Sequence, residues 1–411
     1  MRPGDVLLIQ IKPPSPHTAH YKEFMIFLAG EKQMVRSALP SFSLRGKNLL
    51  PVVQGGMGVG VSAHRLAGAV AASGAMGTIA SIDLRHHHPD LLERSSTRDK
   101  AVLDEINLEA LDREIRSALA ISEGRGAIAV NVMKAVTEHA ALVRQACESG
   151  AHAIVMGAGL PFDLPDLASG YDVALIPILS DSRGVNLVLK KWMRKNRLPD
   201  AIVIEHPKYA GGHLGAPKPE EIGDERFDFP RVIAEVKEVF RELGIDEIPI
   251  IPAGGIDTHE KIRELLDLGA SAVQIGTPFA VTVEGDAHPV FKKVLAEAKP
   301  EDIVTFMSVA GLPARAVITP WLKNYLQREP KLKDCANPSK CTSGLGCLLH
   351  CGLRDGNSRA GQFCIDAQLA AALKGDLKKG LFFRGAGKLP FGSAIRPVSE
   401  LLEFLLSGQP A

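Results

Sequence analysis

The chain has 411 residues, of which 45% are hydrophobic and 5% aromatic, and its formal net charge at pH 7 is +1. Lys and Arg are scattered along the sequence and form no basic stripe with interleaved aromatic residues, so the composition argues against a nucleic-acid partner. No apolar run reaches the ~18 residues needed to span a bilayer, and residues 1–32 lack the pattern of a secretory signal peptide, so we expect no membrane span and a cytoplasmic location.

Residues 1–36 are predicted to form a short N-terminal extension. They include the proline-rich run Lys12–Pro16, and no strand of the fold proposed below requires them.

Eight short apolar runs between residues 37 and 330 are predicted to be β-strands. Most of them lack polar alternation, which is typical of parallel strands buried on both faces. The runs are Leu50–Val53, Gly77–Ser81, Ala127–Val132, Ala153–Gly157, Val173–Leu179, Ala201–Glu205, Pro249–Pro252 and Ala272–Ile275.

Segments with helical periodicity separate these strands. Ser62, Thr137 and Thr258 are each predicted to cap a helix, and Gly269 to end the third one. Lys100–Glu123 is predicted to be a longer helix that forms a lid on one side.

The alternation of strands and helices predicts an α/β fold, a (βα)8 TIM barrel over residues 37–330. An open doubly wound sheet is the alternative. Its phosphate-binding glycines normally follow the first strand, whereas the clearest glycine motifs here follow the last two. We therefore favour the barrel.

Those two motifs are Ile251–Asp257 and Ala272–Phe279. Each is an apolar run that stops at glycine, and glycine lets backbone N–H groups approach a phosphate closely. A third motif, Ala210–Gly215, places His213 in a glycine-rich turn that leaves its imidazole poorly shielded. With an ordinary pKa of ~6.5, such a histidine can act as a base or as a cation near neutral pH. The motifs predict a phosphorylated cofactor and a catalytic histidine.

Four motifs in order resemble the nitronate monooxygenases, also called 2-nitropropane dioxygenases: Pro51–Ser62, Ala210–Gly215, Ala253–Ile256 and Gln274–Phe279. The resemblance runs from about Leu39 to Pro320 and implies a TIM-barrel core with bound FMN. Because it begins close to Met34, we interpret Met34 as an alternative start. The same scaffold and motifs occur in flavin-dependent enoyl-ACP reductases and NAD(P)H:quinone reductases, so the resemblance supports FMN more directly than it supports a substrate.

The predicted cofactor contacts lie at the carboxyl ends of the strands, the catalytic face of such barrels. The segment from Gln54 to Met57, together with Asn131, is expected to contact the flavin ring, and the last glycine motifs to hold the phosphate. The full set is Gln54, Gly55, Gly56, Met57, Asn131, Gly157, Ser180, Gly211, Gly212, Gly254, Gly255, Gln274, Gly276 and Thr277.

Structural roles are the alternative for several of these residues. Gln54 could satisfy the barrel backbone, Asn131 could cap the following segment, and Gly157 could serve only a turn. Glu205 and His206 could orient His213, but we interpret them as structural.

The resemblance implies a nitronate monooxygenase that takes a small-molecule substrate and O2 and gives a carbonyl compound and nitrite. His213 would hold the anionic nitronate or abstract the α-proton of a nitroalkane. One alternative is an NAD(P)H-dependent flavin reductase acting on an enoyl thioester or a quinone. Another is a non-enzymatic barrel that binds a phosphorylated ligand, against which an exposed His213 argues. An oligomer is compatible with each of these functions.

Residues 331–411 are predicted to form a Cys-rich C-terminal extension, with cysteines at 335, 341, 347, 351 and 364. Packing thiols are one interpretation. The other is an iron–sulfur cluster or structural zinc held by Cys341, Cys347, Cys351 and Cys364. A second metal-like pattern, His86–His88, is interpreted as a solvated turn because charged residues, Asp83 and Arg85, lie beside it.

Overall fold

The computed structural model describes residue 35 and residues 37–408. Apart from Val35, the predicted N-terminal extension lies outside the described residues, and so does Met34. Within the described part of the chain, the helices are too short or too polar to cross a membrane.

Eight parallel strands close into a barrel, which confirms the TIM-barrel prediction. Each predicted strand overlaps an observed one, with no end shifted by more than two residues. The strands are β1 Phe42–Leu44, β2 Lys47–Leu49, β3 Val52–Gln54, β4 Met76–Ala80, β5 Ala127–Met133, β6 Ala153–Gly157, β7 Ala174–Leu179, β8 Ile202–Glu205, β9 Gly212–His213, β10 Ile250–Ala253, β11 Val273–Ile275, β12 Ile303–Met307 and β13 Pro313–Val317. The order around the barrel is β10-β11-β3-β4-β5-β6-β7-β8.

Small and branched side chains fill the barrel interior near the start of its strands. Ala127, Ala153 and Ala174 belong to one buried cluster there, and the antiparallel hairpin β1–β2 contributes Phe42 and Leu49 to the same cluster. The hairpin therefore packs against the amino-terminal end of the barrel. The carboxyl ends of the strands remain available for a site.

Helices cover the outside of the barrel. The α-helices are α1 His64–Ala72, α2 Pro89–Arg94, α3 Lys100–Ser122, α4 His139–Glu148, α5 Leu164–Leu167, α6 Ser182–Met193, α7 Phe229–Leu243, α8 His259–Asp267, α9 Thr277–Ala280, α10 Pro289–Glu297, α11 Pro320–Asp334, α12 Gly352–Asp355, α13 Ile365–Leu373 and α14 Val398–Ser407. Short 3-10 helices span Leu84–His87, Pro219–Glu221, Glu225–Phe227 and Pro300–Asp302.

Of the three predicted caps, only Thr258 is confirmed, because its side chain accepts a hydrogen bond from the Lys261 N–H at the start of α8. The Ser62 prediction is wrong. Its hydroxyl instead accepts the Met57 N–H at 2.9 Å, and the Asp286 carboxylate accepts the Arg65 and Leu66 N–H groups at the start of α1, each at 3.1 Å. The Thr137 prediction is also wrong, since its hydroxyl donates to the Gly346 carbonyl at 2.8 Å and α4 begins at His139.

The predicted helix over Lys100–Glu123 is confirmed as α3, but its predicted role as a lid is wrong. It packs between α1 and α4 and against β5, and it buries Leu103, Leu111 and Ile115. It is therefore part of the outer layer of helices.

The C-terminal residues share one compact unit with the barrel. Helix α14 buries one face and contacts both α8 and α1. It thus occupies the position in the outer ring between the helices that follow β10 and β3. A separate antiparallel sheet, in the order β12-β13-β9, lies outside the barrel and includes the segment that carries His213.

Candidate active site

A cavity of about 570 Å³ lies at the carboxyl ends of the barrel strands. Parts of the C-terminal segment, including Leu369 and Phe383, form the wall opposite the strands. His213 lines the cavity, and so does every predicted cofactor contact except Gln54: Gly55, Gly56, Met57, Asn131, Gly157, Ser180, Gly211, Gly212, Gly254, Gly255, Gln274, Gly276 and Thr277.

Gln54 is fully buried inside the barrel wall. Its amide accepts a hydrogen bond from the Thr78 N–H at 2.9 Å and donates to the Thr78 carbonyl at 3.1 Å, which joins β3 to β4. The side chain is fully used by these backbone contacts, so the assignment of Gln54 to the cofactor is corrected to the structural alternative.

The neighbouring glycines bring the backbone after β3 close to other strands. A methyl group added at Gly56 would lie 2.4 Å from the Asn131 Cβ, and one at Gly55 would lie 3.3 Å from the Gln274 side chain. Asn131 lies within β5 and does not cap the next segment. Among the described residues its carboxamide has no hydrogen-bond partner, so it is free to contact a bound molecule.

A glycine cradle, which we define as Gly254, Gly255, Gly276 and Thr277, lies after β10 and β11. Gly254 and Gly255 have φ of +105° and +72°, in the left-handed region that favours glycine. Within the described chain, the backbone N–H groups of Gly255, Gly276 and Thr277 donate to no protein acceptor. A phosphate is bound by free backbone N–H groups that it can approach closely, so this mostly glycine backbone fits a phosphorylated flavin.

A loop from the C-terminal segment, which was not predicted from the sequence, covers this cradle. The Gly385 N–H donates to the Thr277 hydroxyl at 3.0 Å. A methyl group added at Gly211 would lie 2.5 Å from the Gly385 nitrogen, and one at Gly387 would lie 3.3 Å from the Gly255 Cα. The run Arg384-Gly-Ala-Gly-Lys388 could have identified this loop, since it is a further glycine-rich motif.

His213 lies in the short strand β9 and not in an open glycine turn, which corrects the prediction. It pairs with Ala314 of β13 and is only half-exposed. One ring nitrogen, Nε2, lies 2.9 Å from the Ser308 hydroxyl, and the ring centroid lies 6.0 Å from that of Phe383. Burial lowers the pKa of His213 to about 4, so of the two forms considered from the sequence the neutral imidazole is favoured at pH 7.

Glu205, the last residue of β8, and His206, which follows it, have different surroundings. His206 is buried. Its ring lies 3.3 Å from the Asp228 carboxylate and packs edge-on against Tyr209. It has the structural role that we predicted. Glu205 instead lines the cavity, and burial raises its pKa to about 7.

Zinc at the C-terminal cysteines stays a prediction, although within the described residues their sulfurs do not have the spacing of a filled zinc site. Zn–S bonds of ~2.3 Å put the sulfurs of a tetrahedral site about 3.8 Å apart. In residues 37–408, the one group of at least three His, Cys, Asp or Glu side chains with ligand atoms within 4.8 Å is Asp83, His86 and Asp366. Cys347 and Cys351 pack against an apolar cluster that includes Phe363, as the packing interpretation expects. An iron–sulfur cluster, whose thiolates bind different iron atoms and lie further apart, stays a prediction.

The histidine run is not a solvated turn, because each ring is largely buried and has its own partner. The contacts are His86 to Asp83 at 2.9 Å, His87 to the Gly60 carbonyl at 2.8 Å and His88 to Glu114 at 2.9 Å. Asp83 also forms an ion pair with Arg85. These contacts join the loop after β4 to the backbone after β3 and to α3.

Comparisons with known proteins agree with this geometry. The sequence model of the nitronate monooxygenase family matches residues 45–408. A probable nitronate monooxygenase of Bacillus subtilis (strain 168) is 29% identical over 68% of this chain and 79% of its own. A nitronate monooxygenase of Pseudomonas aeruginosa is 32% identical over 29% of this chain and 31% of its own.

Two solved structures share the fold. FabK from Thermotoga maritima has a TM-score of 0.60 and 23% identity, covering 87% of this chain and 91% of its own. Nitroalkane oxidase from Streptomyces ansochromogenes has a TM-score of 0.59 and 20% identity, covering 89% and 95%. The family match extends through the C-terminal segment, well beyond the Pro320 limit of the resemblance seen in sequence.

The chain belongs to the nitronate monooxygenase family and is a flavin-dependent oxidoreductase.

Proposed function

We propose that this member of the family oxidises alkyl nitronates, and the nitroalkanes that give rise to them, with O2 to a carbonyl compound and nitrite, using FMN as its flavin. The observation that carries the proposal is one cavity that contains both a glycine cradle with free N–H groups and the imidazole of His213. The cradle suits the phosphate of a flavin, and the imidazole N–H suits an anionic substrate bound beside the flavin ring.

FMN fits the cradle better than FAD does. The loop at Gly385–Gly387 packs closely against Gly211 and against Gly255 of the cradle. A ligand that ends at its phosphate needs no path through this loop, whereas FAD continues into an adenosine. When bound, FMN supplies a two-electron acceptor that O2 can reoxidise.

His213 would bind the substrate as a hydrogen-bonding group. The Ser308 hydroxyl accepts the Ala310 N–H at 3.2 Å and lies 2.9 Å from the His213 Nε2. If the hydroxyl donates its own hydrogen to Nε2, the ring proton resides on Nδ1, which has no partner in the described chain. That N–H would donate to a nitro or nitronate oxygen. A preorganised donor aimed at developing negative charge contributes ~10²–10³-fold to turnover.

The remaining contacts would position the flavin. Asn131 offers an unpartnered carboxamide, Gly55–Met57 a close backbone, and Gly157 and Ser180 line the same cavity. The apolar wall that includes Leu369 and Phe383 would exclude water from the reacting atoms.

The test is anaerobic mixing of the flavin-loaded protein with propane-2-nitronate, NADH or NADPH while the flavin absorbance is followed. The proposal expects bleaching by the nitronate, and acetone plus nitrite when O2 is admitted. Bleaching by NADPH with no response to the nitronate would replace the proposal with the flavin reductase alternative. Flavin released by heat should chromatograph as FMN, and recovery of FAD would overturn the cofactor assignment.

A further inference from the structure

Two buried carboxyl groups, those of Asp83 and Asp366, meet beside the wall of the cavity. Asp83 lies in the loop after β4, and Asp366 lies in the first turn of α13. Their side chains are close enough to hydrogen-bond to each other. One ligand atom from each of them and one from His86 all lie within 4.8 Å of one another. The fold therefore brings three potential metal ligands from two distant segments to one point, which we call the Asp–His–Asp cluster.

The cluster is buried and carries more negative than positive charge. Asp83 is fully buried, Asp366 is 7% exposed and the His86 side chain is 9% exposed. Arg85 forms an ion pair with Asp83 and donates to the Asn107 side chain at 3.3 Å. One guanidinium group therefore serves two carboxylates. Because buried charges are costly unless they are paired or bind a metal, the cluster needs a further positive charge.

Asp366 is the carboxylate that lacks a partner of opposite charge. Its Oδ1 is buried and has no hydrogen-bond partner in the described part of the chain. Other buried carboxyl groups accept backbone hydrogen bonds: Glu284 accepts the Val398 N–H at 2.9 Å, and Asp286 accepts the Ala63 N–H at 2.8 Å. A buried carboxylate oxygen that lies beside a second carboxylate and an imidazole, with no donor of its own, suits a bound cation.

The types of ligand in the cluster indicate the class of cation. Ca²⁺ and Mg²⁺ prefer oxygen ligands alone, whereas an imidazole nitrogen suits transition metals, so a mixed set favours a divalent transition metal. Bonds of ~2.0–2.2 Å put neighbouring ligand atoms of a tetrahedral Zn²⁺ site about 3.4 Å apart. The ring nitrogen of His86 and the Asp83 Oδ2 lie 2.9 Å apart, and the whole cluster fits within 4.8 Å. Small side-chain movements are therefore sufficient to enclose such an ion.

We propose that Asp83, His86 and Asp366 bind a divalent transition-metal ion, and that this ion fastens the C-terminal wall of the cavity to the barrel. Asp83 and His86 belong to the loop after β4. Asp366 belongs to α13, whose Leu369 and Ala372 line the cavity. The ion would cross-link these two segments. The proposal goes beyond the proposed function and does not depend on it, since no ligand of the ion takes part in the proposed reaction.

Mn²⁺ is a suitable probe, because carboxylates bind it well and the soft thiolates of the C-terminal cysteines do not select it. The flavin-loaded full-length protein is dialysed against EDTA and titrated with MnCl2, while free Mn²⁺ is measured by EPR. We expect one Mn²⁺ per chain and its displacement by ZnCl2, which binds such sites more tightly. At a free Mn²⁺ concentration 100-fold above the Kd, the Tm should rise by about 3 °C, given an unfolding entropy of ~2.1 cal/mol/K per residue.

Two variants and a control separate binding from folding. Asp366→Asn and His86→Gln should each weaken Mn²⁺ binding by more than the ~10–100-fold that loss of a second-shell group costs. Without metal, Asp366→Asn should keep at least the wild-type Tm, because it removes one of two adjacent buried carboxylates. Glu284→Gln is the matched control, since Glu284 is a buried carboxyl group outside the cluster. It should bind Mn²⁺ like the wild type.

A wild-type protein that does not bind Mn²⁺, or a Kd that Asp366→Asn leaves unchanged, would overturn the metal site. A proton shared by the two carboxyl groups would then account for the cluster. Hydrogen exchange tests the cross-link, because Mn²⁺ should slow exchange of the Ile365–Leu373 amides in the wild type but not in Asp366→Asn. Equal exchange with and without Mn²⁺ in the wild type would overturn the role of the ion in the cavity wall. None of these measurements uses a nitronate, so the proposed function stands or fails separately.

Discussion

Gly276 offers a direct test of the glycine cradle, because a side chain there would enter the cavity without disturbing the protein. It lies between β11 and α9 with φ of −108°. A methyl group added to it would have Met57 Sδ, at 3.8 Å, as its nearest protein neighbour. The Gly276→Ala protein should therefore fold, with a stability change within about 1 kcal/mol.

The same methyl group would occupy the approach of a phosphate to the free N–H of Gly276. A hydrogen bond to a charged group contributes about 1.5–3 kcal/mol, so the loss of one such bond weakens binding by about 10- to 150-fold. We expect this increase in the Kd for FMN. Riboflavin has the ring but no phosphate, so its Kd should change little.

The assay is titration of the apoprotein with FMN and with riboflavin, followed by quenching of flavin fluorescence, alongside the Tm of the apoprotein. Gly223→Ala is the matched control, since Gly223 is exposed and has no atom within 4 Å of the added methyl group. An unchanged Kd for FMN in Gly276→Ala, or an equal loss for riboflavin, would refute the phosphate cradle.

Three further predictions follow from the structure. His213→Asn should retain FMN and Tm but lower the oxidation of preformed nitronate by ~10²–10³-fold, the cost of a lost hydrogen-bond donor, and steady-state rates near the wild-type value would remove His213 from the site. Glu114 is fully buried, and burial by itself raises the pKa of its carboxyl group. Hydrogen bonds from His64 and His88 outweigh burial and hold this pKa well below its usual range. The folded state thus binds fewer protons at Glu114 than the unfolded state does. The stability that the ionised carboxylate contributes is therefore present above about pH 4.3 and is lost as the pH falls. Glu114→Gln should destabilise the protein by about 3 kcal/mol in urea unfolding at pH 7, with a smaller difference at pH 3, and a constant difference would contradict the linkage. If an iron–sulfur cluster is present, anaerobically purified protein should contain iron that Cys347→Ser removes, and iron-free protein of full stability would leave the cysteines as packing thiols.

The sequence alone determined the barrel and most of the cavity floor. Runs such as Ala153–Gly157 are apolar on both faces. A parallel strand that is buried on both faces requires this pattern whatever the rest of the fold, so the run by itself predicts the strand. Glycine motifs such as Gly254–Gly255 end their strands, and the carboxyl ends of parallel strands share one edge of a barrel. The apolar pattern of the strands and this rule of barrel topology were sufficient to predict that Gly55, Asn131 and Thr277 line a common cavity.

Tertiary structure decided which way each polar side chain faces and what closes the site. Gln54 and Glu205 both end strands, yet Gln54 hydrogen-bonds to the backbone of β4 whereas Glu205 lines the cavity. The neighbouring strand decides this difference, and the residues adjacent in sequence to Gln54 and Glu205 do not predict it. His213 becomes half-buried because Ala314, about a hundred residues later, pairs with it. Gly385 closes the cradle through Thr277 across a similar separation. Hydrogen bonds between distant segments leave no periodicity in the sequence, so the pKa of His213, the pKa of Glu205 and the wall over the flavin site follow only from the folded chain.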